Sequence, residues 1–266
     1  MTAPTRPILR GAVFAAGAGA PVLLLHGSAS AAVMWAPAID ALKADFRVLA
    51  PDLIGYGRTD PWLDGADFTA GDELCLIEPL LPRGAAVHVV GHSYGGLVAM
   101  HLALAGRVAL RSLTLIEPVA FFLLPHAGAQ EAWAEINKLA DDYAARIAAG
   151  DAEAALRGFI DYWAGSGAWD AMDETLRAQI RRSARKVLLD FQVAFTDPGL
   201  AGLRALTCPV RLLAGGRSRS PTRRIAAFLA EVMPTAKLEV VADANHLLPV
   251  THPDMLAAWL RQRLAD

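Results

Sequence analysis

A chain of 266 residues, 54% hydrophobic and 20% charged with a formal net charge of -2, is long enough to bury a large core in one domain or two. That balance excludes intrinsic disorder and a basic face for nucleic acid, and no apolar run reaches the length needed to cross a bilayer. Cys75 and Cys208 suit a reduced protein better than a disulfide framework, and no Cys/His group has metal-ligand spacing.

Ile8 to Phe14 reads as an edge strand followed by a Gly/Ala-rich turn, Ala15 to Ala20. A leader peptide is the competing use of this stretch, because Arg6 and Arg10 precede apolar Gly11 to Leu25 and Ala18-Gly19-Ala20 is small enough for cleavage. Cleavage there would remove the first strand, so a cytoplasmic protein is expected. Pro21 to Leu25 is a continuous apolar run, suited to a strand covered on both faces. It ends in the loop His26-Gly27-Ser28-Ala29-Ser30. A helix over Met34 to Lys43, a strand over Phe46 to Ala50 and a Pro/Gly-rich loop, Pro51 to Asp60, come next. Ala70 to Leu81 has helical spacing weakened by Pro79.

Ala86 to Val90 reads as a buried strand interrupted only by His88, and Tyr94 to Ala105 as a helix closed by Gly106. Between them stands Gly91-His92-Ser93-Tyr94-Gly95, a Gly-x-Ser-x-Gly turn between strand and helix. Such a turn holds the serine in a strained conformation with its hydroxyl exposed. A Cβ at Gly91 or Gly95 would strike the elements that the turn folds together. The helix N-terminus aims N–H groups at the serine, where they can stabilise negative charge. Ser93 is therefore the candidate nucleophile.

Leu113 to Ile116 is a further strand, ending at Glu117-Pro118. From Phe121 to Phe195 the strand pattern disappears, and Ala129–Ala149, Asp151–Trp163 and Asp173–Phe195 have helical spacing. This segment is rich in aromatics, Trp133, Phe159, Tyr162, Trp163, Trp169, Phe191 and Phe195 among them. Alternation resumes with a strand at Val210–Ala214, a helix at Thr222–Val232, a strand at Lys237–Val241 and a helix from Pro253 to Leu264. Strands alternating with helices predict a mostly parallel sheet covered on both faces, here with a helical insertion between two of its strands. No repeat or low-complexity linker is visible.

In four places the sequence resembles the α/β-hydrolase superfamily. Leu25-His26-Gly27 resembles its oxyanion loop, with Trp35 where many members have an aromatic. Asp52-Leu53-Ile54-Gly55-Tyr56-Gly57-Arg58-Thr59 resembles the loop after the following strand. Gly91 to Gly96 resembles the nucleophile elbow, and Asn245-His246 the segment that carries the catalytic histidine. The resemblance implies an α/β fold with an eight-stranded sheet, a core of residues 1–118 and 200–266, and a helical lid of residues 119–199.

Of seven histidines, His246 is the candidate base, since it follows a strand and belongs at the same carboxyl edge as Ser93. The resemblance makes His26 and His92 structural. His88 and His101 read as packed within their own strand and helix, whereas His126 and His252 read as surface or loop residues. The oxyanion donors would be the backbone N–H groups of Ser28 and Tyr94, with Ala29 as the alternative in the first loop. The family usually places an Asp three residues beyond the Gly that ends the strand at Val210. Ser218 stands there, between Arg217 and Arg219. Some relatives take the acid from the end of the preceding strand, where this chain has Glu117. An ion pair with Arg217 or Arg219 is the competing use of that carboxylate, and Asp243 is a second candidate acid.

These residues predict a serine hydrolase, foremost a carboxylesterase for small to medium esters, that needs no cofactor and no metal. Its expected partner is a small-molecule substrate, not nucleic acid or a membrane. Trp163, Phe121 and Phe122 are the candidate pocket residues, which would suit an apolar acyl or aryl group. Lactonases, thioesterases, C–C bond hydrolases and perhydrolases share these residues. A non-catalytic binder on the same fold is the competing class, with the missing Asp as its support.

Overall fold

The computed structural model describes residues 10–63 and 67–265. In chain order the strands are β1 (Val13–Ala16), β2 (Ala20–Leu25), β3 (Phe46–Pro51), β4 (Val87–His92), β5 (Leu110–Ile116), β6 (Val210–Gly215) and β7 (Ala236–Val241). They form one sheet of order β1-β3-β2-β4-β5-β6-β7. Only β1 runs antiparallel to its neighbour; the other pairs are parallel. The carboxyl ends of β2, β4, β5 and β6 consequently meet along one edge, where loops collect in such sheets.

Successive strand residues point to opposite faces, and that alternation divides the core. Val22 and Leu24 pack with Trp35, Ile39, Leu256 and Leu260 on one face, beneath α1 (Ala36–Leu42) and the C-terminal helix. Leu23 and Leu25 face the other way, onto α2 (Ala70–Ile77) and α3 (Tyr94–Ala105). With both faces covered, β2 has no polar side to present. The same reasoning accounts for α3, which is almost wholly apolar because its residues Tyr94 to Met100 are all buried.

Between β5 and β6 the described residues contain no strand. They form α4 (Leu123–His126), α5 (Gln130–Ala148), α6 (Ala152–Ala164), α7 (Ala168–Ala171), α8 (Glu174–Arg181), α9 (Ala184–Phe195) and α10 (Leu200–Arg204). The chain then returns through α11 (Ser220–Val232), α12 (Leu248–Thr251) and α13 (Pro253–Ala265). The two long helices expected at Ala129 and Asp151 are present within a residue or two. The helix expected over Asp173–Phe195 is two helices. Ser183 turns its hydroxyl back onto the Ile180 carbonyl at 2.7 Å, and such local bonding competes with the helical ladder.

Seven strands, rather than the eight implied by the resemblance, are present among the described residues. The first lies later than expected, at Val13–Ala16, because its antiparallel register on β3 runs from Val13 opposite Pro51 to Ala16 opposite Val48. Ile8 and Leu9 lie outside the described residues. No described helix is long and apolar enough to cross a membrane, and no disulfide joins Cys75 and Cys208.

Candidate active site

Three non-glycine residues among those described adopt positive φ: Ala29 at 54°, Ser93 at 55° and Glu117 at 50°. All three stand where a strand of the central sheet gives way to its carboxyl-edge loop. Backbone strain of this kind persists only where the surroundings over-determine it, and it collects at functional sites.

Ser93 joins β4 to α3 with φ 55° and ψ -120°, outside even the left-handed helical region. The flanking glycines make this turn possible. A Cβ on Gly91 would stand 2.2 Å from the Gly95 carbonyl oxygen, and one on Gly95 would stand 2.3 Å from that of Leu25. Gly27 brings the loop after β2 against the serine, since a Cβ there would lie 3.0 Å from the Ser93 Cβ.

Ser93 Oγ lies 3.0 Å from His246 Nε2, and His246 Nδ1 lies 3.2 Å from Glu117 Oε2. A buried carboxylate can only accept, so the imidazole carries its proton on Nδ1 and offers the Nε2 lone pair to the serine. The other carboxylate oxygen, Oε1, accepts the Gly215 N–H at 2.6 Å and the Ser218 hydroxyl at 2.8 Å. Burial pushes the Glu117 carboxyl up, but hydrogen bonds from His246, Thr222 and the Gly215 backbone outweigh it and hold the group below its usual range. Glu117 is thus an anion aimed at the histidine, on the opposite side from the serine.

Ser218 therefore donates to Glu117 from the position where the resemblance implies an Asp. By residue type alone a serine at 218 gives no sign of this bond, because its partner lies 101 residues away in the chain. Arg219 is occupied elsewhere, donating to the Tyr162 carbonyl at 2.7 Å and lying 3.3 Å from Glu135. Asp243 is not brought to His246. Its side chain is largely exposed and sits 3.5 Å from His252.

The neighbouring histidines are fixed by backbone. His92 donates from Nε2 to the His246 carbonyl at 2.8 Å. His26 accepts the Leu53 N–H at 2.9 Å and donates from Nδ1 to the Gly27 carbonyl at 2.8 Å. Burial is the main reason that His26 is lowered to about 4 and His92 to about 3, from an ordinary 6.5. Both stay neutral in the fold, whereas the unfolded chain protonates them below pH 6.5. Their effect on stability is nil above 6.5 and unfavourable below it, growing until the folded values are reached. Each is expected to remove about 2 kcal/mol of unfolding free energy between pH 7 and pH 5. Denaturant unfolding at the two pH values measures this, and equal stability would mean that both rings accept protons in place.

A cavity with a free volume of about 20 Å³ opens beside Ser93, lined by Ser28, Phe121, Phe159, Trp163 and Asp190 among others. That is room for one water, so a larger ligand has to displace a wall. The Trp163 ring stacks on His246 with centroids 4.0 Å apart and 29° between planes. Phe121 lines this cavity, whereas Phe122 does not. Its side chain turns into the core and its N–H bonds the Ala194 carbonyl at 3.1 Å, because neighbours on a helical turn diverge by about 100°. Among the described residues no cluster of His, Cys, Asp or Glu could hold a metal ion.

A family model described as the alpha/beta hydrolase family matches residues 22–259. The chain belongs to the alpha/beta hydrolase family. Within that family it is 26% identical over 264 residues to a 2-hydroxymuconate semialdehyde hydrolase of Pseudomonas putida, covering 94% of this chain and 89% of that one. It is 38% identical over 101 residues to the lipase LipV of Mycobacterium tuberculosis, 37% of either protein. The matched stretch is 38% of the length of a further relative, from Azorhizobium caulinodans, so this alpha/beta hydrolase spans well under half of several curated relatives. Among solved structures, a thermophilic esterase from Thermogutta terrifontis shares the fold with a TM-score of 0.72 at 23% identity, covering 97% of this chain and 93% of that one.

Proposed function

We propose that this protein is a serine hydrolase that cleaves small to medium carboxylic esters through an acyl-enzyme on Ser93. The observation that carries the proposal is the unbroken line Ser93 Oγ, His246 Nε2, His246 Nδ1, Glu117 Oε2. A neutral hydroxyl is a weak nucleophile, and a positioned base is what activates it. His246 takes the Ser93 proton as Oγ attacks the ester carbonyl, then returns it to the leaving alcohol, and Glu117 stabilises the imidazolium between those steps. The N–H groups of Ser28 and Tyr94 receive the oxyanion. Tyr94 is the first residue of α3, where an N–H has no partner within the helix.

A fluorophosphonate probe tests the proposal against a binding protein of the same fold, since only an activated serine reacts. Stoichiometric labelling that Ser93→Ala abolishes is the expected result. An unlabelled wild type would leave the binding reading.

In this reading residues 119–199 act as a lid, with Trp163 as the wall that substrate must move. Trp163→Ala is expected to shift p-nitrophenyl ester preference towards longer acyl chains by at least tenfold in the ratio of kcat/KM values. It should also cost about 3–5 kcal/mol of stability as a large core truncation. Equal losses for every chain length would make Trp163 ordinary packing.

The near full-length likeness to the 2-hydroxymuconate semialdehyde hydrolase favours a second reading, hydrolysis of a carbon–carbon bond with the same residues. Direct assay on 2-hydroxymuconate semialdehyde separates it from ester cleavage.

A further inference from the structure

A buried charged cluster adjoins the site, where Asp190 and Ser28 both line the cavity beside Ser93. Asp190 and Lys186 stand one turn apart on α9, each about 4% exposed, with Glu73 of α2 fully buried beneath them. Asp190 Oδ2 accepts the Ser28 hydroxyl at 2.5 Å and the Tyr56 hydroxyl at 2.5 Å, and its Oδ1 accepts from Lys186 Nζ. Lys186 Nζ also lies 3.0 Å from Glu73 Oε1 and 4.3 Å from the centroid of the Tyr94 ring. Glu73 in turn accepts the Tyr94 hydroxyl at 3.4 Å and the Ile54 N–H at 3.1 Å. The side chains of Ser28 and Tyr94, whose N–H groups are assigned to the oxyanion, are thus tied to one network.

Stability alone is a weak reason for such a network. A buried ion pair often does no better than a packed apolar pair, because desolvating the charges offsets their attraction. What it offers is direction. The loop after β2 turns through strained Ala29, and the Ser28–Asp190 bond is a side-chain contact that can hold the Ser28 N–H in a fixed orientation.

We propose that Asp190, held by Lys186, is a positioning residue for the oxyanion loop, so that docking α9 against the sheet and completing the oxyanion hole are one event. This inference rests on the ester-cleaving reading above. It concerns side chains that act through the orientation of the Ser28 N–H, and it is visible in transition-state binding rather than substrate binding.

The experiment compares wild type with Ser28→Ala, Ser28→Thr and Asp190→Asn, using p-nitrophenyl butyrate as substrate and trifluoromethyl propyl ketone as inhibitor. The ketone adds Ser93 Oγ to its carbonyl carbon, placing the oxygen anion where the tetrahedral intermediate has it. Ser28→Ala keeps the backbone N–H but loses its anchor. It is expected to lower kcat and weaken the ketone in parallel, by about 10- to 100-fold, with KM within twofold. Ser28→Thr keeps a hydroxyl and should recover most of both. In Asp190→Asn the Lys186 ammonium, which can only donate, takes the amide oxygen and leaves the NH₂ facing the Ser28 and Tyr56 hydroxyls. This variant should therefore match Ser28→Ala, and the Ser28→Ala/Asp190→Asn double variant should be no worse than Asp190→Asn alone. Asp190→Asn leaves Lys186 short of a counter-ion; if it fails to fold, Ser28→Ala and Ser28→Thr decide the matter. Unchanged kcat and ketone affinity in Ser28→Ala would overturn the proposal, and so would a rise in KM equal to the loss of ketone affinity. If Ser93→Ala itself retains turnover, the ester reading fails first; if Ser93 is essential and Ser28→Ala behaves as wild type, only the positioning claim fails.

Discussion

Ser93→Ala is expected to reduce ester turnover by about 10⁵–10⁶-fold, the loss that follows removal of a serine nucleophile whose partners act as a unit. The fold should survive it. The hydroxyl lies at the cavity wall, its bond within the protein is to His246, and alanine places the same Cβ in the same strained turn. Thermal unfolding should shift by no more than a few degrees. KM for the ester should change little, because the hydroxyl contributes to bond making more than to substrate binding. Turnover within tenfold of wild type, in protein free of contaminating esterase, would remove Ser93 from the mechanism.

Glu117→Gln is the second large effect. The amide can keep the bonds from Gly215 and Ser218 by presenting its oxygen to them, since both donate to the same carboxylate oxygen. Its NH₂ group then faces His246 Nδ1. That arrangement favours the imidazole with its proton on Nε2, which can no longer accept from Ser93. Both the tautomer and the charge that steadies the imidazolium are lost together, so kcat is expected to fall by about 10²–10⁴-fold, the upper end being the loss when the Asp of a serine-protease triad becomes Asn. Asp243→Asn supplies the contrast. Its carboxylate is exposed and paired with His252, so turnover should stay within about twofold, as for a surface ion pair. A crippled Asp243→Asn beside a near-normal Glu117→Gln would move the acid to the loop that carries the histidine.

Much of this arrangement is legible in the sequence, because the constraints behind it are local. Gly91 precedes Ser93 for a steric reason that acts over four residues, because a Cβ there would meet the Gly95 carbonyl. Gly95, by contrast, is required by the Leu25 and His26 carbonyls, at the end of a strand distant in the chain. The apolar run Pro21 to Leu25 reports a strand covered on both faces without reference to its neighbours. Glu117 is legible by a different route: its place at the end of β5 follows from chain order, and its reach to His246 follows from the sheet edge that both share.

What escapes the sequence is long-range or depends on orientation. Ser218 looks like a vacancy until Glu117 is seen to accept its hydroxyl. Asp190 reads as one polar position of an amphipathic helix, yet it meets Ser28 across 162 residues of chain, and nothing in local pattern signals that pairing. Phe122 was expected beside Phe121 in the pocket, but which of two adjacent aromatics faces a cavity depends on the helical turn and not on their chemistry. The stacking of Trp163 on His246 belongs to the same class, since it requires α6 to be placed over the sheet edge.

A covalent bond between Ser93 and substrate can be caught by rapid acid quench of the enzyme during turnover of p-nitrophenyl acetate, followed by peptide mass spectrometry. An added acetyl group is expected on the peptide containing Ser93, formed as fast as the initial burst of p-nitrophenol and absent from Ser93→Ala. Turnover without any acylated peptide, or with the acetyl group on another residue, would contradict an acyl-enzyme on Ser93.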